Sequence, residues 1–471
     1  MNEKNNKNKE KEKIIEKCID ISFQINDNCI KSSYSLKSKF KGIKNYFKYN
    51  LPKSIINKNK NIENKISFIK VFYKEYNINE KIDYDYYQKK INKLILMTYR
   101  SHYKAQINIK NKKIYTSDCG WGCTIRSSQM IFARIIYKIF KYNLKKKYSS
   151  ETIIKSIIPF FLDNNINYNE IANKINNYNI LGFEYYIKQI EMLFEKKIDN
   201  INKMIYINSI DPPFSIHKIC IIGEIFGRTC GEWFSDYELP KIYEIINSTF
   251  NIIPNLSILH FSSEINMNSV LEQCFEKIEF TENDEKNENI KNINKIKNKE
   301  INDNIFTDDE NKKYKFKKMG AIFVSVRLGV ESIPSEYFSS IIKLFKSKQF
   351  LGFIGGKINS AFYFFGLSDD KNLLYLDPHL NQDSIIDLED KNLITYLEKT
   401  IYFLKIEKLQ CAFTIGFLFR NLNEFMDLYI FLKDFNHDKF PCFHVLFNYQ
   451  NKNNLSQEEI NININNEEED F

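Results

Sequence analysis

The chain has 471 residues, 43% of them hydrophobic and 15% aromatic, which is material for a sizeable core and excludes a wholly disordered protein. Its 14 Gly and 9 Pro exclude a collagenous or Gly/Pro-rich low-complexity chain. The net charge of +9 sits within residues 1–60, where 15 Lys face six acids, and the absence of Arg there argues against a nucleic-acid groove.

Residues 1–65 form a basic low-complexity extension, best read as a solvated Lys/Asn arm, although such an arm also suits an anionic membrane surface. The opening MNEKNNKNKEKEK leads into no apolar signal segment, and no apolar run approaches the ~18 residues of a membrane span. With nine cysteines, an odd number, the expectation is reduced thiols in a cytoplasmic protein. No Cys/His grouping has zinc spacing, and Cys119 with Cys123 lacks a second half-site, so neither metal nor cofactor is expected.

A globular domain is predicted over 66–450, interrupted by a charge-dense insert at 281–318 that reads as disordered, and followed by an acidic tail at 451–471. Cys123–Leu144 carries apolar residues at helical spacing behind a polar first turn and predicts a buried helix. Downstream, Ala321–Val326, Ser360–Leu367, Asn372–Leu376 and Phe413–Phe419 are short, β-branched and aromatic, hence strands. Glu336–Lys346 and Leu422–Phe435 read as helices. A helix first and a mostly antiparallel sheet later is an α+β pattern.

Two local patterns carry chemistry. In Asp377-Pro378-His379 a strand runs into a carboxylate and an imidazole two positions apart, a spacing that points both side chains the same way and lets the carboxylate fix the imidazole tautomer. An ordinary strand-end turn is the competing reading. In Asp118-Cys119-Gly120-Trp121-Gly122-Cys123 a Gly-Trp-Gly turn delivers Cys123 to the first turn of the predicted helix, where helix N–H groups and a nearby His lower a thiol pKa. Cys119 precedes the turn and is expected to point elsewhere.

The stretch TSDCGWGCTIRSSQM resembles the signature of the autophagins, autophagy cysteine proteases of papain-like fold. Further patches match in order: Leu96–Arg100, Phe214–His217, Gly231–Phe234, Arg327–Gly329, Gly352–Lys357 with Asn359–Ala361, and Tyr375–His379 with Gln382. The resemblance implies a papain-like α+β fold with a small accessory α/β subdomain at about 150–275. It implies Cys123 as nucleophile, His379 as general base and acid, Asp377 as the group orienting it, and Tyr99 as an oxyanion donor. Trp233 would cover the cleft and face a loop at Gly355–Ser360, with Gly355, Gly356 and Ile358 forming a gate that admits only glycine. A core tryptophan is the alternative for Trp233. Ile358 stands where the family has Pro, and Phe362 where relatives often carry His.

The implied partner is the autophagy ubiquitin-like protein, as precursor and as phosphatidylethanolamine conjugate, with membrane contact through the substrate only and no nucleic acid. Rival readings are a protease for the ubiquitin-fold modifier and a catalytically silent module that binds the ubiquitin-like protein. Thr124-Ile125-Arg126, Gln129-Met130, the Ser-Ile-His patch and Gln382 favour the autophagins over the former, and an intact Cys123, Asp377 and His379 argue against the latter. The chain ends at Asp470-Phe471 without an aliphatic residue to complete the family's C-terminal partner motif, and Phe443–Leu446 has suitable residue types but falls within the body.

Overall fold

A computed structural model describes residues 67–143, 148–163, 212–278, 305–307, 313–369, 372–385 and 390–447. The basic extension, the acidic tail and most of the insert lie outside the described residues. The chain enters through a hairpin, β1 (Phe68–Val71) and β2 (Lys74–Asn77), then helix α1 (Lys81–Ile91). Strands β3 (Tyr99–Ile107) and β4 (Ile114–Ser117) lead to the long helix α2 (Cys123–Asn143). Next come α3 (Ser150–Ile157), α4 (Ile216–Gly223), α5 (Glu238–Phe250), β5 (Leu256–Ser262), β6 (Glu264–Asn266), α6 (Met267–Cys274) and β7 (Phe275–Ile278). The second half brings β8 (Ile305–Thr307), β9 (Lys313–Phe316), β10 (Met319–Arg327), α7 (Phe338–Leu344), β11 (Phe350–Lys357), β12 (Ser360–Ser368) and β13 (Asn372–Leu376). It closes with β14 (Asn381–Asp383), α8 (Asp390–Leu397), β15 (Tyr402–Lys405), β16 (Ala412–Phe419), α9 (Leu422–Asn436) and β17 (His444–Leu446).

Nine strands form the main sheet in the order β15-β13-β12-β11-β16-β10-β5, with β1 beside β12 and β2 beside β1. Its ladders are antiparallel except β10–β5. Alternate residues serve two cores: Ala321 and Phe323 of β10 and Tyr363 and Phe365 of β12 join one with α2, while Ile322, Val324, Phe362 and Phe364 join the other with α6, α7 and α9. Covering both faces makes these strands read as continuous apolar runs. The helix presses so close that a Cβ on Gly416 of β16 would lie 2.8 Å from Ile131 Cδ1, so glycine is needed there.

Two expectations are corrected. Part of the insert is folded: β8 and β9 pair with β7 in a three-stranded sheet. Phe306 is 2% exposed and meets Phe425 and Tyr429 with ring centres 5.2 and 5.0 Å apart. The segment's charge density obscured Phe306, Tyr314 and Phe316, which supply the apolar surface. The described residues of the accessory segment do not keep a core of their own, since Phe160, Phe214, Ile242 and Ile258 share one with Phe132 and Ile135 of α2. Strand β5 joins the main sheet outright.

Candidate active site

The turn before α2 is shaped by its own backbone. The Asp118 carbonyl accepts from Trp121 N at 3.1 Å and Gly122 N at 2.9 Å, and Gly120 adopts φ +86, a region that L side chains avoid. A Cβ on Gly122 would overlap the Asp118 carboxylate. Trp121 is buried, its Nε1 donating to the Ser117 carbonyl at 2.9 Å. The turn therefore fixes Cys123 as the first residue of α2, 1% exposed.

The partner segment follows β13. His379 Nδ1 donates to Asp377 Oδ1 over 2.6 Å, and the same oxygen accepts the His379 backbone N–H at 2.9 Å. With Nδ1 so engaged, Nε2 is the nitrogen left for Cys123, and thiol and imidazole stand close enough to shift each other's proton affinity. Strand β14 then pairs in parallel with β3, setting Asn381 opposite Tyr99, while Tyr99 N donates to the Pro378 carbonyl at 2.9 Å. Tyr99 is 1% exposed, packs edge-on against His379 at 5.3 Å and hydrogen-bonds Cys123. Phe362 closes another side of the imidazole at 5.5 Å. Cys123, His379, Asp377 and Tyr99, spread over 281 residues of sequence, thus come together.

The electrostatics follow. Burial alone would raise the Cys123 thiol, but His379, the Ala361 backbone and the Tyr99 hydroxyl outweigh it and hold the thiol below its ordinary value. Burial would likewise lower His379, yet Asp377 and Cys123 push it up to about 9. The two shifts are one interaction, which favours the thiolate–imidazolium form of the pair. Such a pair can attack a carbonyl carbon and return a proton to a leaving amine. Three other buried thiols go the opposite way: burial pushes Cys230, Cys274 and Cys442 up to about 12.

The residues expected to form the gate lie on separate elements, Trp233 beside the cysteine turn and the glycines on β11. Trp233 is 42% exposed, not enclosed in the core, and its Nε1 donates to the Gly120 carbonyl at 3.0 Å. Gly355 and Gly356 are not in a loop but in β11, opposite Phe362 and Ala361 of β12. Only the tip is a turn, with Ile358 79% exposed and Asn359 at φ 61. A Cβ on Gly356 would overlap the Ser360 carbonyl, so the hairpin base is as narrow as backbone allows.

The profile of the peptidase C54 catalytic domain matches residues 84–430, a span that holds all of these residues. The chain belongs to the peptidase C54 family. Among its C54 relatives, Cysteine protease ATG4 of Candida albicans is 24% identical, the match covering 74% of this chain and 58% of that protein. Cysteine protease ATG4b of Arabidopsis thaliana is 23% identical over 73% of this chain and 60% of its own. For Cysteine protease ATG4C of Homo sapiens the figures are 24%, 74% and 72%. The chain therefore spans about three fifths of the fungal and plant relatives' length. Among the described residues no helix is long and apolar enough to cross a membrane.

Beneath the cysteine turn this C54 chain carries a buried network that sequence reasoning missed. Arg126, 1% exposed, donates through Nε to Asp118 Oδ2 at 2.8 Å and pairs through Nη2 with Asp163 Oδ2 at 2.8 Å. Burial would discharge Arg126, but the two carboxylates hold it charged. Asp118 Oδ1 also accepts from Arg100 N at 2.6 Å, and Asp163 Oδ1 from Ile216 N at 3.1 Å. Gln129 ties Arg126 Nη1 to the Phe214 carbonyl. The network joins the residue after Tyr99, the cysteine turn, α2 and the start of α4. The matched Ser-Ile-His patch is structural: Ser215 caps α4, and His217 Nε2 meets the Lys104 carbonyl at 2.7 Å. Gln382 accepts from Thr98 Oγ1 at 2.9 Å, steadying the residue before Tyr99.

Proposed function

We propose that the protein is a cysteine-type endopeptidase that cleaves after the C-terminal glycine of an autophagy ubiquitin-like protein, trimming its precursor and releasing it from phosphatidylethanolamine. The observation that carries the reading is the thiol of Cys123 at the head of α2, electrostatically coupled to an imidazole that Asp377 holds through Nδ1. The Cys123 thiolate adds to the glycine carbonyl. The Tyr99 hydroxyl and the Cys123 backbone N–H, at the free amino end of α2, stabilise the oxyanion. The C–N bond breaks as the His379 imidazolium gives its Nε2 proton to the departing peptide or lipid amine, leaving a thioester. Neutral His379 then takes a proton from water, whose oxygen attacks the thioester and releases the glycine carboxylate and the thiolate.

The substrate class is carried over from the family, with Trp233, Gly355, Gly356 and Ile358 as the proposed gate through which a residue with no side chain passes. The relatives' name, cysteine protease, agrees with this chemistry. The test is incubation of the full chain with a precursor of the autophagy ubiquitin-like protein and, in parallel, with the ubiquitin-fold modifier precursor. Clean cleavage of the first after its glycine is expected. Cleavage of the second alone would move the protein to that rival class, and cleavage of neither would leave a silent binding module.

A further inference from the structure

Away from the cleft, the tip of the first hairpin meets a group of cations from α1 and α2, while Glu75 of β2 is taken by Lys70 of β1. Strands β1 and β2 turn through Phe72 and Tyr73. Phe72 takes a left-handed backbone, φ 55, which a bulky residue seldom adopts, and its ring is buried to 2% exposure. Two cations face that ring: the Arg134 guanidinium of α2 at 4.6 Å and Lys90 Nζ of α1 at 5.8 Å. Arg134 is 9% exposed, and its Nε has no hydrogen-bond partner among the described residues. Lys93 and Lys138 lie within electrostatic reach of the same guanidinium.

Arg134 sits eight residues beyond Arg126 on one helix, and the contrast between them is informative. Arg126 is held between two carboxylates. Among the described residues neither Arg134, Lys90 nor Lys93 has a carboxylate partner, and Glu424, which faces Lys138, is already forked by Arg420. Burial, then the neighbouring cations led by Arg134, lowers both Lys90 and Lys138 to about 7. Like charges held together out of water are unfavourable unless an anion completes the set.

We infer that Lys90, Lys93, Arg134 and Lys138 form a binding site for a phosphate-bearing anion, with Arg134 as its floor. A guanidinium offers a planar fork that matches two phosphate oxygens, and the lysines add mobile point charges around it. The ring of Phe72 holds the guanidinium flat from one side. The site is separate from the thiol: Arg134 follows Cys123 by eleven residues, about 16 Å along the helix at ~1.5 Å per residue. It therefore stands whether or not the peptidase reading does. The phosphate has two possible sources, a soluble phosphate compound or a lipid headgroup. Tyr73 at 43% exposure and Phe68 at 46% are the kind of aromatic residues that rest at a lipid interface.

The experiment uses the full chain and two probes. Inorganic pyrophosphate is titrated by calorimetry against sodium chloride of matched ionic strength, and flotation is measured with phosphatidylcholine vesicles made with and without phosphatidic acid. The deciding variant is Lys90→Gln with Lys93→Gln, two half-buried lysines outside the catalytic machinery. Arg134→Gln is a second variant whose folding is checked by its melting curve. Removing two charge-assisted contacts is expected to weaken binding by roughly tenfold or more. Loss of pyrophosphate binding in the double variant, without flotation, assigns a soluble phosphate; loss of phosphatidic-acid-dependent flotation assigns a headgroup. No response to either probe, or equal responses from the wild type and the double variant, overturns the site.

Discussion

Asp377→Asn keeps the shape of the side chain and removes the charge that faces the His379 imidazolium. In the native site Nδ1 donates to Asp377 Oδ1 over 2.6 Å, and the imidazole stands at about 9 against an ordinary 6.5. That rise is worth roughly 3 kcal/mol in favour of the charged ring, net of the burial that opposes it. Asp377 and Cys123 both contribute, and an even division assigns ~1.5 kcal/mol, about one pH unit, to the carboxylate. The alkaline fall of kcat/KM, where the imidazolium loses the proton it must give the leaving amine, should then move down from about 9 by roughly one unit. The Cys123 thiol should rise, because its cationic partner is less often charged. Together these changes predict a ten- to hundredfold loss of kcat/KM near neutrality, from ~1.5–3 kcal/mol of lost stabilisation.

The assay is site-resolved iodoacetamide labelling, read by mass spectrometry from acid to alkaline pH, with cleavage kinetics alongside. Wild-type Cys123 should keep labelling fast below the ordinary thiol value, whereas the variant should slow at a higher pH. The two should converge above the ordinary thiol value, where both are ionised. Cys230, Cys274 and Cys442, each pushed up to about 12 by burial, are internal controls that stay unlabelled while the fold holds. Superimposable labelling profiles for Cys123 in wild type and variant would refute the coupling.

Three further outcomes are expected. Cys123→Ala should abolish precursor cleavage and Cys119→Ala retain most of it, as read on gels; the reverse would relocate the nucleophile. Arg126→Met removes the cation shared by two buried carboxylates, Asp118 and Asp163, and should cost about 3–5 kcal/mol in urea unfolding. A loss below ~1 kcal/mol would mean that the network is dispensable. Trp233→Ala, at a site 42% exposed, should shift stability by no more than ~0.5 kcal/mol while changing KM for the ubiquitin-like precursor, so a variant that unfolds would make Trp233 a core residue after all.

The parts of the site legible in sequence are those with a local cause. The Gly-Trp-Gly turn and the apolar spacing behind it announce α2 and place Cys123 at its head, and the strand before Asp377 carries the carboxylate and imidazole to one side. Tyr99 was reachable only through family resemblance, because its place beside His379 depends on β14 pairing with β3 across about 280 residues. Asp163 is a harder case: nothing near it in sequence marks it as the second partner of Arg126. In the insert, averaging charge over a long window hid three aromatics. The hairpin-tip cations were hidden by the opposite problem, since lysine is so abundant in this chain that four more raise no signal until α1 and α2 set them around one ring.

Strand β16 lies between β11 and β10 at the centre of the sheet, yet it is the last strand of that sheet to be synthesised. A nascent chain that has already released Cys123 from the ribosome still lacks the strand that joins the two halves of its sheet, and it lacks His379 for most of translation. The thiol therefore spends that interval as an ordinary thiol. On the proposed reading, hydrolysis waits until both His379 and the strand that joins the sheet have been made. Because the pairing is long-range, docking is slow relative to local helix formation. A chain terminated before residue 379 lacks His379, and with it the imidazole that the proposed site requires.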